Sequence, residues 1–547
     1  MHRVVGIDAR ARRASTPTRF IHKPENHVKA ARSLCALSVA VATVFGLSAV
    51  APAQAQVGDA RVRVAVAWRD GSSVAVRAAI ARHQGRVLAE LGEVKAVVVS
   101  MPASRVAALR AAAGVDFVEG EIVHRMLGSR SARVETLATE VVGYNIPMVQ
   151  ADLLPPPGPG SEKKKLCIID SGIDGTHPDL ADNNLAGANY TTSGTWDTDE
   201  SSHGTHVAGT AVALKNGIGL IGVAPNKEID VFVAKVFDSS GSASSLQVAQ
   251  AMLGCLRARS NVLNMSLGSD TPSRLLERIA DLLASRNILV IAAAGNNGTS
   301  ALHYPAGFAS VMSVAAVNSG TTVADFSQFN PDVEIAAPGV DIASTVPPFS
   351  QTGATATVGE SPYAVEAMEG SPRTEATGEL ADFGFGETPS PGSMTGKVCL
   401  ISRGNISFAD KVLNCQTSGG VGAIIYNNTA GPLLGTLGTT VTTIPSVGAL
   451  QADGATMLTQ VGQSTTVSVF GLPEIYAKFN GTSMATPHAS AVAALVWTHF
   501  PACTAAQIRA HMTASALDLG AAGRDDFYGF GLVQAKAMVD RITALGC

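Results

Sequence analysis

The chain has 547 residues, of which 46% are hydrophobic and 15% are charged, and its formal net charge at pH 7 is −4. This length exceeds what one hydrophobic core usually supports, so several domains are expected. The composition is that of a globular protein, and the small negative charge argues against a nucleic-acid or membrane-surface role.

The first 55 residues have the organisation of a secretory signal peptide. Residues 1–33 contain eight Lys or Arg against two acidic residues, an apolar run follows from Ala36 to Val50, and Ala53-Gln54-Ala55 has the form of a cleavage site. The run is shorter than the roughly 20 residues of a membrane span, which disfavours an anchor. We expect cleavage after Ala55 and a protein that is secreted, extracellular or periplasmic, without a membrane anchor. Translation from a later start, near Val28, is an open alternative.

The following residues have the pattern of a small α+β domain. Strand-like stretches occur at Arg61–Val66, Val94–Met101 and Val115–Glu121, and Ser104–Ala113 is helical.

After residue 160, short apolar runs alternate with helical patterns. The predicted strands include Leu166–Ile169, Val231–Val236, Val262–Leu267 and Ile288–Ala293, and the helices between them include Leu246–Arg259 and Arg274–Arg286. Apolar strands separated by helices form parallel sheets with right-handed crossovers. The sequence therefore predicts an α/β fold with a mostly parallel central sheet.

Three polar residues stand where such a fold presents side chains to a shared cleft. Asp170 follows a predicted strand, His203 precedes a helical stretch reaching about Leu214, and Ser483 opens a helical run from Met484 to Trp497. A serine hydroxyl becomes a good nucleophile when an imidazole takes its proton and a carboxylate orients that imidazole. We therefore expect Ser483 to be the nucleophile, His203 the general base and then acid, and Asp170 the orienting group.

The segments around these residues resemble the subtilisin family of serine proteases, the subtilases. The matching segments are His203-Gly204-Thr205-His206-Val207-Ala208-Gly209-Thr210, Asn264-Met265-Ser266-Leu267-Gly268, Ala293-Ala294-Gly295-Asn296 and Gly481-Thr482-Ser483-Met484-Ala485. They occur with the chain order Asp, His, Ser, for which subtilisin is the known example.

This resemblance implies a subtilisin-like three-layer α/β fold and a serine endopeptidase that cuts proteins or peptides. It implies that the Asn296 amide and the Ser483 backbone N–H stabilise the oxyanion. It also assigns Ser266, Leu267 and Gly268 to substrate binding, with a mere buried strand end as the alternative.

Residues 56–127 resemble the I9-type inhibitor prodomain of subtilases. The resemblance implies that this segment is an intramolecular inhibitor and chaperone, that its tail lies in the cleft, and that the enzyme cuts it off. An ungapped match of the tail puts the cut after Leu127, and a cut in the stretch to about Thr139 is the alternative.

About 140 residues separate Ala336-Ala337-Pro338-Gly339 from Asn480, where the family needs only a short link. Within them, Gly396–Gly404, Phe408–Val412 and Gly422–Asn428 resemble a protease-associated (PA) domain. We expect a β-rich insertion over 350–471 that divides the catalytic domain into 128–349 and 472–547. It would restrict or recruit protein substrates; a spacer without effect on catalysis is the alternative.

The resemblance also implies a structural Ca²⁺ site, whose hard oxygen ligands suit this ion. Side-chain ligands would come from Asp179, Asn216 and Glu140, and carbonyl ligands from Leu214, Ile218 and Leu220. A plain surface loop is the alternative.

The pocket for the residue before the cut bond, the S1 pocket, departs from the family pattern. Counting back from Tyr304-Pro305 puts His303 at its floor, where subtilisins commonly carry a small residue. The imidazole should shorten the pocket, so Leu and Met are expected to be preferred over Phe and Tyr.

The chain has seven cysteines, of which Cys35 belongs to the signal peptide. The other six suit an oxidising compartment and contain no C-x-x-C pair. Cys399 with Cys415 and Cys503 with Cys547 are candidate disulfides, and Cys167 and Cys255 are expected to be core thiols. The sequence alone does not determine the pairing.

Two other functions are compatible with parts of the sequence. One is a catalytically silent binding protein in which the PA domain is the working part. The other is a lipase or esterase, which is disfavoured because no G-x-S-x-G motif surrounds Ser483.

Overall fold

The computed structural model describes residues 59–127, 130–135, 137, 139–158, 161–438 and 440–547. The signal peptide expected at residues 1–55 lies outside them. Within these ranges, no helix is both long enough and apolar enough to cross a membrane.

Residues 61–120 form four antiparallel strands with helices on one face. The elements are β1 (Arg61–Trp68), α1 (Ser73–Arg82), β2 (Arg86–Leu91), β3 (Ala96–Pro102), α2 (Val106–Arg110) and β4 (Val115–Gly120). The strand order is β2-β3-β1-β4. Successive strand residues point to opposite faces, so Val64 and Val66 pack with α1 and α2, whereas Ala65 and Ala67 join a core shared with later helices. Both faces of this small sheet are therefore covered.

A fully parallel sheet of seven strands forms the centre of the fold, as the alternating pattern predicted. The elements from the small domain onward are β5 (Val123–Met126), β6 (Arg130–Glu135), α3 (Asn145–Met148), β7 (Lys165–Asp170), β8 (Leu185–Asn189), α4 (His203–Val212), β9 (Asp230–Lys235), β10 (Ser242–Ser244), α5 (Ser245–Arg257), β11 (Val262–Met265), β12 (Leu267–Gly268), α6 (Arg274–Ser285), β13 (Leu289–Ala293), β14 (Val311–Val317) and β15 (Val333–Pro338). The order across the sheet is β15-β14-β13-β11-β7-β9-β8, and every neighbouring pair is parallel.

The inserted segment forms an eight-stranded sheet of its own. It is preceded by β16 (Ile342–Thr345) and consists of β17 (Thr352–Val358), β18 (Ser361–Tyr363), β19 (Val365–Ala367), β20 (Glu375–Asp382), β21 (Lys397–Ser402), α7 (Phe408–Thr417), β22 (Gly422–Tyr426), β23 (Ser446–Ala449), α8 (Gln451–Leu458) and β24 (Ser464–Gly471). The strand order is β18-β17-β24-β20-β21-β22-β23-β19. One apolar cluster contains residues of α7 and another contains residues of α8, so the insertion has cores of its own.

The chain then returns to the central domain. Its last elements are β25 (Tyr476–Asn480), α9 (Thr482–His499), α10 (Ala505–Ala514) and α11 (Ala535–Leu545). The four helices α4, α9, α10 and α11 pack on one face of the parallel sheet, and α5 and α6 pack on the other. These three layers confirm the predicted fold class.

Three disulfides cross-link the described residues. Cys399 is bonded to Cys415 inside the insertion, and Cys503 is bonded to Cys547 at the C-terminus. Cys167 and Cys255, expected to be core thiols, form the third disulfide. That expectation was wrong because Cys167 lies on the face of β7 that α5 covers, which brings the two buried sulfurs together.

Candidate active site

Asp170 and His203 form a buried pair at the carboxyl end of β7. Asp170 is the last residue of β7, and His203 is the first residue of α4. His203 Nδ1 lies 2.7 Å from Asp170 Oδ1, while His203 Nε2 has no hydrogen-bond partner among the described residues. The carboxylate therefore favours the tautomer with the proton on Nδ1, which leaves Nε2 able to accept one.

The charges around His203 determine its proton affinity. Burial lowers the pKa of His203, but the charge and hydrogen bond of Asp170, with the charge of Asp199, hold that pKa above its ordinary value. The neighbouring His206 adds no charge, because burial lowers its pKa to about 3.

A second carboxylate, the partly buried Asp199, connects the loop after β7 to the first turn of α4. Its Oδ1 accepts hydrogen bonds from Ser171 Oγ at 2.9 Å and from the N–H groups of Ser201 and Ser202 at 3.0 Å each. Its Oδ2 accepts from the N–H and Oγ1 of Thr205 at 2.8 and 2.6 Å. Burial raises the pKa of Asp199, yet backbone N–H groups can only donate and so favour the ionised form.

Ser483 lies in the first turn of α9, which begins at Thr482. The helix starts two residues earlier than predicted, and it contains Pro487 beyond its first turn. A proline removes the hydrogen bond to the carbonyl four residues earlier, here that of Ser483. Ser266 Oγ donates to this carbonyl at 2.8 Å instead. One of the expected substrate-binding residues thus compensates for the proline and fixes the start of α9.

The residues that precede Gly128 lie in the cleft as an added strand. β5 pairs antiparallel with β10 on one edge and with β12, which is Leu267 and Gly268, on the other. Leu127 is buried, and its carbonyl oxygen lies 3.2 Å from Ser483 Oγ. The chain therefore presents one of its own carbonyl groups to the expected nucleophile.

Asn296 is fixed beside Ser483 by Thr482. The Asn296 amide oxygen accepts hydrogen bonds from the N–H and Oγ1 of Thr482 at 2.9 and 2.8 Å. A Cβ at Gly481 would lie 3.2 Å from Asn296 Nδ2, so this position leaves little room for a side chain. The amide nitrogen and the electropositive start of α9 are thus both next to Ser483.

Comparison with known proteins agrees with this geometry. The model of the subtilase family matches residues 161–371 and 435–531, which is more than half of the chain, and the PA domain model matches residues 356–457 within the insertion. The chain belongs to the subtilase family of serine proteases. It carries an inserted PA domain.

Among similar subtilases, an alkaline protease of Alkalihalobacillus alcalophilus is 41% identical over 216 residues, which are 40% of this chain and 55% of that protein. Subtilisin NAT of Bacillus subtilis subsp. natto is 37% identical over 282 residues, 50% of this chain and 70% of that protein. The crystal structure of the psychrophilic subtilisin-like protease Apa1 from Pseudoalteromonas sp. AS-11 matches with a TM-score of 0.52 and 37% identity, and covers 74% of this chain and 99% of that one. The chain thus spans about half to two thirds of the length of these two sequence relatives.

His303 packs against the strand that pairs with β5. Its Nδ1 lies 3.0 Å from Asp270 Oδ1, and a Cβ at Gly268 would lie 2.2 Å from its Nε2. Burial lowers the pKa of His303 despite the bond to Asp270. The imidazole is therefore a buried, tightly held group that lies against Gly268 of β12.

The residues expected to bind Ca²⁺ meet at one loop. Asp179 is fully buried; its Oδ1 accepts from Asn216 Nδ2 at 3.0 Å, and its Oδ2 from Leu220 N–H at 3.2 Å and the Tyr476 hydroxyl at 3.0 Å. Glu140 Oε2 accepts from Gly217 N–H at 2.7 Å.

The donor set at this loop fits Ca²⁺. Across the described ranges, no three His, Cys, Asp or Glu side chains converge as metal ligands, so a cation here would have the two carboxylates of Asp179 and Glu140. The Asn216 amide turns its Nδ2 towards Asp179 and its oxygen accepts from Ile218 N–H at 3.1 Å, so it would have to rotate to join the carbonyls of Leu214, Ile218 and Leu220 as one of the hard oxygens that Ca²⁺ prefers.

Asp199 and Lys235 were not predicted from the sequence. Lys235, the last residue of β9, is fully buried, and its Nζ donates to the carbonyls of Ser171 at 2.7 Å and Thr198 at 2.9 Å and pairs with Glu200. The available signals were a lysine ending an otherwise apolar strand and a carboxylate four residues before His203.

We expect Asp199→Asn to move the acidic limb of the pH profile of kcat/KM to lower pH. Protonated His203 cannot act as a base, so the rate rises as pH rises through its pKa. Removal of the Asp199 charge lowers that pKa, and the limb moves down with it. The measurement is cleavage of a short peptide between pH 5 and 9.

Thr205→Val is the matched control for this prediction. It removes the hydrogen bond from the Thr205 hydroxyl to Asp199, so the rate should fall. It leaves the charge of Asp199, so the acidic limb of the pH profile should not shift. An unmoved limb in Asp199→Asn, or the same shift in both variants, would rule out the charge effect.

Proposed function

We propose that this chain is a secreted serine endopeptidase that hydrolyses peptide bonds in proteins with Asp170, His203 and Ser483. The observation that carries the proposal is the 2.7 Å contact of His203 Nδ1 with Asp170 Oδ1, in the cleft where Ser483 Oγ lies 3.2 Å from the Leu127 carbonyl oxygen. Secretion is supported by the signal-like N-terminus and by the disulfides, which are typical of oxidising compartments.

In the proposed reaction, Ser483 Oγ attacks the carbonyl carbon while His203 Nε2 takes the hydroxyl proton. The carbonyl electron pair moves to the oxygen, where the Asn296 amide and the Ser483 N–H stabilise the negative charge. The C–N bond then breaks, and His203 gives its proton to the leaving amine. Water, deprotonated by His203, hydrolyses the acyl-enzyme and restores Ser483.

Residues 56–127 are proposed to be an inhibitory prodomain that the enzyme removes by cutting after Leu127. Besides the strand pairing of β5, polar contacts link β4 to α6. Asp116 pairs with Arg278 at 2.6 Å, and Glu119 accepts from Ser273 Oγ at 2.5 Å and Arg274 N–H at 2.7 Å. These contacts support a domain that folds against the protease, and its tail would bind as a product does.

We expect Ser483→Ala to accumulate with the bond after Leu127 uncut. The control Ser490→Ala changes another buried serine of α9, which donates to Asn264 at 3.0 Å, and should mature and cleave peptides. The measurement is mass spectrometry of the purified chains. Normal maturation of Ser483→Ala in the absence of another protease would disprove self-processing. Failure of wild-type Ser483 to react with a fluorophosphonate would favour the catalytically silent binding protein.

We also propose that the loop from Leu214 to Leu220, with Asp179, Asn216 and Glu140, binds a structural Ca²⁺. Bound Ca²⁺ would neutralise the buried Asp179 carboxylate and hold the loop against the segment around Glu140. It would act on stability and not on a chemical step.

We expect chelation of Ca²⁺ to lower the melting temperature and speed autolysis. Ligand binding to the folded state alone stabilises by about 2.7 kcal/mol when the free ligand is a hundredfold above its dissociation constant. Asp179→Ala should abolish the response to chelator. Asp182→Ala, which removes a nearby carboxylate of which 84% is exposed, should retain it. An unchanged wild-type melting curve in chelator would contradict the site.

Specificity is proposed to depend on His303 at the floor of the S1 pocket, with Leu and Met preferred before the cut bond. Support comes from the packing of its imidazole on Gly268 and from Leu127, the residue that precedes the proposed cut.

We expect His303→Gly to raise kcat/KM for Phe and Tyr relative to Leu by roughly 10-fold to 200-fold, the range for one group in an apolar pocket. Asp270→Ala removes the hydrogen bond to His303 but not its volume, so the ratio should stay near that of wild type. The measurement is cleavage of matched peptides that differ only at this residue. Equal rates after Phe and Leu in wild type, unaltered in His303→Gly, would exclude His303 from the pocket.

A further inference from the structure

β25 has a neighbour on each edge, and both are antiparallel to it. β16 pairs with one edge, from Ile342 opposite Phe479 to Thr345 opposite Tyr476. β6 pairs with the other edge, from Arg130 opposite Asn480 to Glu135 opposite Tyr476. Only two residues, Gly481 and Thr482, separate β25 from Ser483, so this second edge starts beside the cleft.

β6 follows, along the chain, the residues that lie in the cleft. It begins three residues after Leu127, whose carbonyl faces Ser483. Counted from the bond after Leu127, Arg130 is the third residue on the leaving-group side and Glu135 is the eighth. The structure thus contains one strand, β5, before the bond and another, β6, after it, and β6 is added to β25.

We infer that β25 is a docking strand for protein substrates, which pair with it through the third to the eighth residue after the cut bond. The inference rests on the proposed function, because the count starts from the bond that Ser483 would cut. Once the bond after Leu127 is broken, β6 is held by its pairing with β25 and by its own end of the chain, and a substrate can take its place on this edge when that pairing opens. An unpaired strand edge commonly binds extended peptides through main-chain hydrogen bonds.

The inserted PA domain limits the length of this edge. The short segments that join β16 to β17 and β24 to β25 hydrogen-bond to each other, as Val346 N–H donates to Ile475 O at 2.8 Å and Leu472 N–H to Gln351 O at 2.9 Å, so the four strands form one two-stranded ribbon. In this ribbon, β25 and β24 pair with β16 and β17 along one edge. Their other edge therefore carries both β6 and β20. β20 starts with Glu375 opposite Ser468, so a substrate beyond its eighth residue soon meets the PA domain.

The test uses a series of peptides that share the same residues before the cut bond and have two, five, eight or fourteen residues after it. The mature enzyme cuts each peptide, and kcat/KM is measured. We expect kcat/KM to rise by about tenfold or more from two to eight residues, the gain of a few net hydrogen bonds, and then to level off. Equal kcat/KM for two and eight residues would overturn the inference.

N-methylation of the eight-residue peptide provides the matched control. In an antiparallel pair, alternate amides point to the neighbouring strand and the others point away. Methylation of one alternate set should therefore remove the gain, and methylation of the other set should leave it. Equal loss from both sets would exclude strand pairing. If no peptide of the series is cut, the proposed function fails and the inference fails with it; if the two-residue peptide is cut as fast as the eight-residue peptide, only the inference fails.

Discussion

The surrounding structure depends on one constraint, which is to hold Asp170 and His203 in contact. An ionised carboxylate and an imidazole lose favourable hydration inside a protein, and hydrogen bonds must replace it. Ser171 N–H donates to Asp170 Oδ1 at 2.8 Å, and the Ser171 hydroxyl and carbonyl are held in turn by Asp199 and Lys235. Asp199 and Lys235, which were not predicted, thus fix the loop between Asp170 and His203. Removing Asp199 and Lys235 from water costs free energy, and the hydrogen bonds by which they hold this loop next to His203 offset that cost.

The inserted domain is connected to this constraint through its own first residues. Gln351 is buried, and its Nε2 donates to Ser202 Oγ at 3.1 Å. Ser202 precedes His203 and has φ +69°, a left-handed conformation that costs free energy in a serine. Because the ends of the insertion are already paired as one ribbon, its length adds little entropic cost, since closure entropy grows slowly with loop length. A large domain can therefore stand beside the cleft without loosening it.

The sequence was sufficient to predict the helices and strands that follow from a periodic hydrophobic pattern. Apolar runs identified β7, β9 and β13, because strands buried on both faces carry little else. The motifs brought Asp170, His203 and Ser483 into one candidate site. The disulfide of Cys167 with Cys255 depends instead on which face of the sheet α5 covers. β6 was not predicted either, since Arg-Ser-Ala-Arg-Val-Glu has no strand pattern and its strand depends on the pairing with β25, which is distant in sequence.

The course of the chain through the cleft has a consequence for activation. On the acyl side, β5 is bound by two strands, and Phe117 of the preceding domain lies between Arg274 and Arg278, whose guanidinium carbons are 4.7 and 5.5 Å from its ring centre. On the leaving-group side, β6 is bound by β25. If the bond after Leu127 is cut as proposed, both new ends stay paired with the protease. Cleavage alone then does not free the cleft, because each side must still dissociate from its own strands, and the slower of the two departures sets the rate at which activity appears.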